Sequence, residues 1–340
     1  MIDKVYIKTI NVKIESIKLK SDYNLAHCKL KFYHSIITEI CLSNELKLYG
    51  EVTPLRGYTE ETVESVTSDI EDIKKNILNK SITDSVLYLN SILTCKNSFS
   101  ISSILPPLEN YSNSFGFKDI AIKAQDLVYG LAIEDLTIPE LEREILNINK
   151  SGYKTIKIKI GKNADHEYNI VNILSNMDIK DFKIRFDANC GYNYNETLNF
   201  LDLVSEKLPD NTEYFEQPLC RQCWKEIEKI NKMGFAIPVM LDESIYSIEE
   251  IKKSFDVGIK FIKIKLCKFG GMDNLQNALE YARTLNLNVV LGNGVATDIA
   301  NYFELLFYYK NKAKIFGASE SVGFIKIDQV LKYDLKINNI

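Results

Sequence analysis

Apolar and polar positions along the chain follow one rhythm up to about residue 110 and another after it. Residues 3–15 carry Val5, Ile7, Ile10, Val12 and Ile14 among polar neighbours, as a half-buried strand does. Residues 28–41 and 46–51 continue as strands around a Ser43-Asn44 turn, which predicts an antiparallel meander, and the polar segment 21–27 reads as a loop. Thr59-Glu60-Glu61 opens a predicted helix over 60–78, with Val63, Val66, Ile70 and Ile73 on one face. A second helix is predicted over 82–95, and the Pro-Pro and Ser-rich stretch 102–114 is expected to be a boundary.

After a helix expected over Phe117–Leu127, short apolar runs alternate with segments of helical length. VYGLAI (128–133) reads as a first strand, and 137–150 as its helix with Pro139 in the first turn. GYKTIKIKIG, FKIRFDAN, EYFEQP, IPVMLDES and KFIKIKLCKFGG then supply strands two to six. Val289-Val290-Leu291 is the seventh, and IFGAS (315–319) the eighth. Helices are expected at 163–177, 194–207, 221–233, 247–256 and 272–285. Strand–helix alternation of this kind predicts parallel strands with crossover helices. The fold class expected is therefore α/β: a modified TIM barrel, (β/α)7β, over 111–323, with an α+β capping domain over 1–110. The alternating tail 324–340 is expected to return to the cap.

Strands buried on both faces should be almost wholly apolar, so charges at their ends are costly unless they serve a site. Asp187, Glu216 and Asp242 end three successive runs, 29 and 26 residues apart. Adjacent barrel strands lie about 4.8 Å apart, so three such carboxylates can converge at the mouth where barrel chemistry is placed. Three hard oxygen ligands suit Mg²⁺ better than zinc, and the three histidines, His27, His34 and His166, lie at none of these ends. The competing reading makes each acid a helix cap or a loop ion-pair partner; three in register argue for a shared site. Lys157 and Lys159, two apart on one strand, share the interior face, while Lys265 approaches from the opposite side. A partly desolvated lysine near other cations has a lowered pKa and can act as a base. A metal-bound substrate carboxylate would stabilise the enediolate left when the neighbouring α-proton departs. The alternative is that Lys263, Lys265 and Lys268 decorate an edge strand. Gly270-Gly271 argues instead for close backbone packing at the mouth.

With 340 residues, 46% hydrophobic and 26% charged, the chain has the composition of an ordinary globular protein. The net charge of −4 with interspersed signs gives no basic face for nucleic acid. No apolar run is long enough to span a membrane and the N-terminus reads as a strand, so a cytoplasmic protein is expected. Seven dispersed cysteines fit reduced thiols better than a disulfide framework. Cys220 and Cys223 form a lone CxxC with no second pair or nearby His, for which zinc or redox use is disfavoured. A nucleotide-binding α/β protein is a weaker rival, because no Gly-rich phosphate loop follows an early strand and GNGVA comes late without the fingerprint spacing.

KIKIG, FDAN, FEQP, LDES and IKLCKFGG, in this order and spacing, resemble the enolase superfamily and, within it, the muconate-lactonizing-enzyme subgroup. The resemblance extends to the cap around EVTPLRGYTEET and implies a Lys base working with Mg²⁺. It implies Asp187, Glu216 and Asp242 as metal ligands, Lys159 and Lys265 as the acid/base pair, and Lys157 and Asn189 as assisting groups. Cap loops at about 20–27 and 53–58 would close the mouth and select a small-molecule carboxylate. Candidate substrate contacts are Arg56, Tyr58, Asn189, Asn293, Asp298 and Glu320. EVTPLRGYTEET and SFGF (114–117) look like o-succinylbenzoate synthases, although Arg56 stands where those usually carry proline and GNGVATDIAN replaces their serine-rich stretch. Dipeptide epimerases hold the substrate ammonium with Asp-x-Asp at the eighth strand, where this chain has Gly317-Ala318-Ser319-Glu320. Glu320 or Asp298 would take that role, unless Asp298 only caps its helix. Two opposed lysines make racemisation or epimerisation of an amino-acid derivative the expected reaction. Syn-dehydration of the o-succinylbenzoate type and a catalytically silent paralogue are the alternatives. A homo-oligomer is expected, since superfamily barrels assemble as dimers or octamers.

Overall fold

The computed structural model describes residues 5–24, 29–55, 59–113, 120–131, 133 and 138–338. Three antiparallel strands come first: β1 (Ile7–Asn24), β2 (Lys29–Leu42) and β3 (Lys47–Val52). Their apolar face packs on α1 (Val63–Ile77) and α2 (Ile82–Ile92) in a core that includes Ile10, Ile36, Ile40, Ile70 and Leu89. Thr62 begins α1 with a capping box to Ser65, which satisfies two otherwise orphaned amide donors. The expected boundary at 102–114 is not a linker. Helices α3 (Ser98–Ser102) and α4 (Leu105–Ser112) occupy it, and Leu105, Pro106, Pro107 and Leu108 are buried. The prolines sit in the first turn of α4, where their missing N–H costs nothing.

The helix expected over Phe117–Leu127 is not present in its described part, which holds the short β4 (Ile122–Lys123) and one 3₁₀ turn. Seven parallel strands follow: β5 (Val128–Leu131), β6 (Thr155–Lys159), β7 (Lys183–Asp187), β8 (Thr212–Glu216), β9 (Val239–Leu241), β10 (Phe261–Ile264) and β11 (Asn288–Leu291). They lie side by side in chain order. Helices α5 (Ile138–Lys150), α6 (Ala164–Ser175), α7 (Tyr194–Lys207), α8 (Trp224–Met233), α9 (Ile248–Asp256), α10 (Leu266–Phe269), α11 (Met272–Thr284) and α12 (Asp298–Asn311) separate or follow them. The fold is thus α/β, with β10 interior between β9 and β11 rather than at an edge.

The predicted eighth strand forms no regular strand, yet it closes the curled sheet. Phe316 and Glu320 donate backbone bonds to Val289 and Leu291 on one side, and Ser319 exchanges bonds with Asp126 and Val128 on the other. Gly317, in the left-handed region at φ 66°, breaks the extended conformation between those contacts. The tail divides its contacts. Ile327 bridges Leu19 of β1, whereas β12 (Ile337–Asn338) pairs with β4 beside the barrel.

Candidate active site

Strand period places the site. Lys159, Asp187 and Glu216 are register neighbours across β6, β7 and β8. Two residues earlier on the same face lie Lys157, Arg185 and Tyr214. Tyr214 packs with Met240 and Val290 in the barrel interior. The strand ends open into a cleft of about 500 Å³ between barrel and cap. Lys157, Lys159, Asp187, Asn189, Asp242, Lys265, Asn293 and Glu320 all line it. Glu216 lies behind them, fully buried. Asp298 is not in the cleft: its carboxylate accepts the backbone N–H groups of Leu331, Lys332 and Tyr333 and so anchors the tail. Neither does it cap α12, because the hydroxyl of Thr297 fills that role. Arg56, Tyr58 and SFGF lie outside the described residues, as do parts of both expected cap loops.

The lysines interleave with the acids. Lys157 Nζ stands 2.8 Å from Asp187 Oδ2, 2.8 Å from Glu216 Oε2 and 2.9 Å from Glu320 Oε2. Lys159 donates to Asp187 Oδ2 and Asn189 Oδ1, both at 2.6 Å. On the far side Lys265 pairs with Asp242 Oδ2 at 2.7 Å. Asn189 also donates to Glu243 Oε1 at 2.9 Å. Gly292 provides the space: a Cβ there would clash with Lys263 Cδ and fall 3.0 Å from Lys265 Cε.

Four further charged groups complete the cluster. Lys263 is fully buried, bridging Glu216 Oε1 at 2.6 Å and Glu320 Oε2 at 2.8 Å. Arg185, equally buried, bonds Glu213 at 2.6 Å and Glu320 Oε1 at 3.3 Å. Lys268 reaches the Asp242 carbonyl at 2.6 Å and its Oδ1 at 2.9 Å. Period two was the available signal for the deeper layer, since Arg185 and Lys263 stand two residues before Asp187 and Lys265. The glycine pair packs against the cap: a Cβ on Gly271 would meet Leu105 Cδ2 at 2.6 Å and Glu109 Oε1 at 2.7 Å.

Burial raises a carboxyl pKa and nearby ammonium groups lower it. At Asp187 burial pushes up, but Lys157 and Lys159 prevail and hold the group well below its usual range. At Glu216 burial and the neighbouring Asp187 prevail, and the carboxyl is pushed up. The expected lowering is not found at Lys157 or Lys265. Burial pulls Lys265 down, yet Asp242 and Glu243 outweigh it and raise it. Lys157 is raised as well, against the same burial, by Asp187, Glu216 and Glu320. Lys263 is lowered, by burial. Carboxylates held in direct contact outweigh the like-charge repulsion on which the expectation rested.

The donor chemistry fits a hard divalent cation: three buried carboxylates stand on consecutive strand ends, with no His or Cys among them. Among the described residues, no three acid, His or Cys side chains form a ready metal cluster. Ammonium groups stand between the carboxylates instead. The CxxC also corrects an expectation. Cys220 and Cys223 are joined as a disulfide across a Cα–Cα distance of 5.4 Å, because the turn into α8 folds the two residues together. Cys41, Cys95, Cys190 and Cys267 are free.

Comparison with known proteins agrees with this architecture. The chain is 25% identical over 301 residues to an L-amino acid-D/L-Glu epimerase of Francisella philomiragia subsp. philomiragia, covering 84% of this chain and 82% of that protein. It is 24% identical over 253 residues to the o-succinylbenzoate synthase of Aliivibrio salmonicida, covering 74% and 71%. Its fold superposes on the dipeptide epimerase of Cytophaga hutchinsonii, solved with Mg and D-Ala-L-Val, with a TM-score of 0.82 at 19% identity over 96% of this chain and 89% of that one. Residues 140–322 match the family described as Enolase C-terminal domain-like, which covers more than half of the chain and contains every acid and lysine of the site. The chain belongs to that family.

Proposed function

We propose that the protein removes and returns the proton α to a carboxylate, racemising or epimerising an amino-acid derivative. The observation that carries this is the placement of Lys159 and Lys265 on opposite sides of one cleft, each held by a carboxylate and at least half-buried. One lysine takes the proton from one face of the α-carbon and the other delivers a proton to the opposite face. The epimerase activity of the Francisella relative supports this reaction type.

Asp187, Glu216 and Asp242 are the residues that would hold Mg²⁺, and the Mg in the Cytophaga structure supports that assignment. Bound there, Mg²⁺ supplies Lewis-acid stabilisation of the negative charge that develops on the substrate carboxylate. The chain's residues do the rest. Lys157 sits between two of the acids and balances their charge. Asn189 fixes the Lys159 ammonium. Asp242 sets the proton affinity of Lys265, and sharing that carboxylate with a cation lowers it.

Glu320 bears on the substrate. Its carboxylate is held by Lys157, Lys263 and Arg185, so it has little charge left to receive a substrate ammonium. An amino acid whose nitrogen is acylated fits this better than a free-amino dipeptide. The same observation favours a second reading, dehydration of a hydroxy acid to a succinylbenzoate-type product, in keeping with the Aliivibrio relative.

The test is α-proton exchange in D₂O with Mg²⁺, across N-acylamino acids, dipeptides and a succinylbenzoate-type precursor. Lys159→Ala and Lys265→Ala should each lower enantiomer interconversion by about 10²–10⁴-fold, the range of one acid–base group. Water release and an ultraviolet-absorbing product without interconversion would select the second reading. Enantiomer interconversion that survives in both variants would refute the two-base assignment.

A further inference from the structure

We propose that Cys220 and Cys223 form a thiol–disulfide exchange site for a dithiol reductant, and that Arg221, inside the bridged turn, couples its redox state to the cleft mouth. Only the catalytic readout below rests on the function proposed above.

The bridge is a poor staple. It spans four residues, and stabilisation by cross-linking grows with the size of the closed loop. Its chemistry is better provided for. Cys220 is exposed and Cys223 is half-buried at the N-cap of α8, a helix of ten residues. A thiolate at a helix N-terminus or in a CxxC is stabilised, which makes Cys223 the better leaving group. One thiolate of the reductant attacks Cys220 Sγ and expels the Cys223 thiolate. The reductant's second thiol then attacks the mixed disulfide and releases Cys220. The reductant becomes a disulfide, and the protein gains two electrons and two protons.

Arg221 links this turn to the mouth. Its guanidinium lies 4.1 Å from the ring centroid of Tyr246, which lines the cleft. It also reaches Glu250 Oε1 at 3.5 Å and Glu60 Oε1, near the start of α1 in the cap, at 3.4 Å. The Arg221 carbonyl accepts a bond from Ser244 Oγ at 3.0 Å. Gln217 donates to the same hydroxyl at 2.9 Å and accepts from the backbone N–H of Asp242. The Glu60 side chain is 90% exposed, and an exposed ion pair is weak unless its partners are already held in place. The bridged turn holds Arg221 in place; an open turn releases it. The disulfide form is therefore the one with the firmer cap–barrel contact.

The experiment compares the full chain before and after dithiothreitol treatment. Maleimide labelling with peptide mapping should show two additional thiols after reduction, at positions 220 and 223, lost again on mild oxidation. Hydrogen–deuterium exchange should become severalfold faster at residues 59–62 and 244–246 in the reduced protein. The KM for α-proton exchange should rise severalfold with little change in kcat. Cys220→Ser/Cys223→Ser should match the reduced protein and ignore dithiothreitol. Arg221→Ala should form the bridge yet show the reduced behaviour in both states. An unchanged thiol count would overturn the exchange site, and equal amide exchange in the two states would overturn the coupling. Both readings hold without any turnover, so loss of the enzymatic proposal is told apart from loss of this one. If the double variant does not fold, the two states of the wild type decide.

Discussion

Lys263 shows how one side chain ties the site to the stability of the barrel. Its ammonium is fully buried and serves two carboxylates, Glu216 and Glu320. Removing one partner of a buried ion cluster leaves the others uncompensated, which costs about 3–5 kcal/mol. Lys263→Met should therefore lower the urea midpoint by a corresponding amount. Because Glu216 would lose a fixing contact, Mg²⁺ affinity measured by calorimetry should change as well. An unchanged midpoint would mean that the acids find other partners. Asp298 is the opposite case. A carboxylate at the start of a helix beside a barrel mouth invites a substrate role, but three tail amides already occupy it. Chain position told where that acid lies and not what it bonds.

At the scale of elements, the cap and barrel meet through helix ends. Glu109 on α4 accepts the backbone N–H of Met272 at 2.6 Å and of Asp273 at 3.3 Å, so a cap carboxylate closes the N-terminus of α11. Burial outweighs those bonds and pushes the Glu109 carboxyl up to about 8. With a folded pKa above the unfolded one, the folded state binds more protons between about 4.5 and 8. Stability from this group is therefore lost as pH rises through that window. Glu109→Gln keeps a neutral acceptor and should flatten this fall in thermal-melt midpoints. Equal pH slopes for wild type and variant would show that Glu109 ionises normally. The helix prediction for 60–78 and the strands of the meander were legible, because their apolar periods are long and regular. Helices α3 and α4 were not, since a Ser- and Pro-rich composition hides buried helices whose serines bond back to the chain, as Ser102 and Ser103 do.

For the molecule as a whole, charge balance separates folding from catalysis. Among the described residues of this cluster, Lys157, Lys159, Arg185, Lys263, Lys265 and Lys268 stand against Asp187, Glu213, Glu216, Asp242, Glu243 and Glu320, so these twelve groups are formally balanced. The two main cores are apolar and contain none of these charged groups. Chelation with EDTA should thus abolish α-proton exchange while leaving the far-ultraviolet circular dichroism intact. Mg²⁺ should restore exchange and raise the melting temperature only by the mass action of binding. Unfolding on chelation would show that the metal is structural. Among the described residues no helix is long and apolar enough to cross a membrane.

The sequence by itself determined the repeating strand–helix order and the acids and lysines at the strand ends. Both are local: period two assigns a face, and burial makes any charge on that face conspicuous. Motif order then pointed to the family. Only the tertiary structure decided which charges pair. It turned Asp298 to the tail, bound Glu320 to three cations, raised Lys265 through Asp242, and closed the barrel with an irregular segment in place of an eighth strand. It also joined Cys220 to Cys223. These outcomes depend on distances of a few ångströms between residues far apart in the chain, and electrostatic energy in a buried site depends steeply on such distances. No local pattern encodes them.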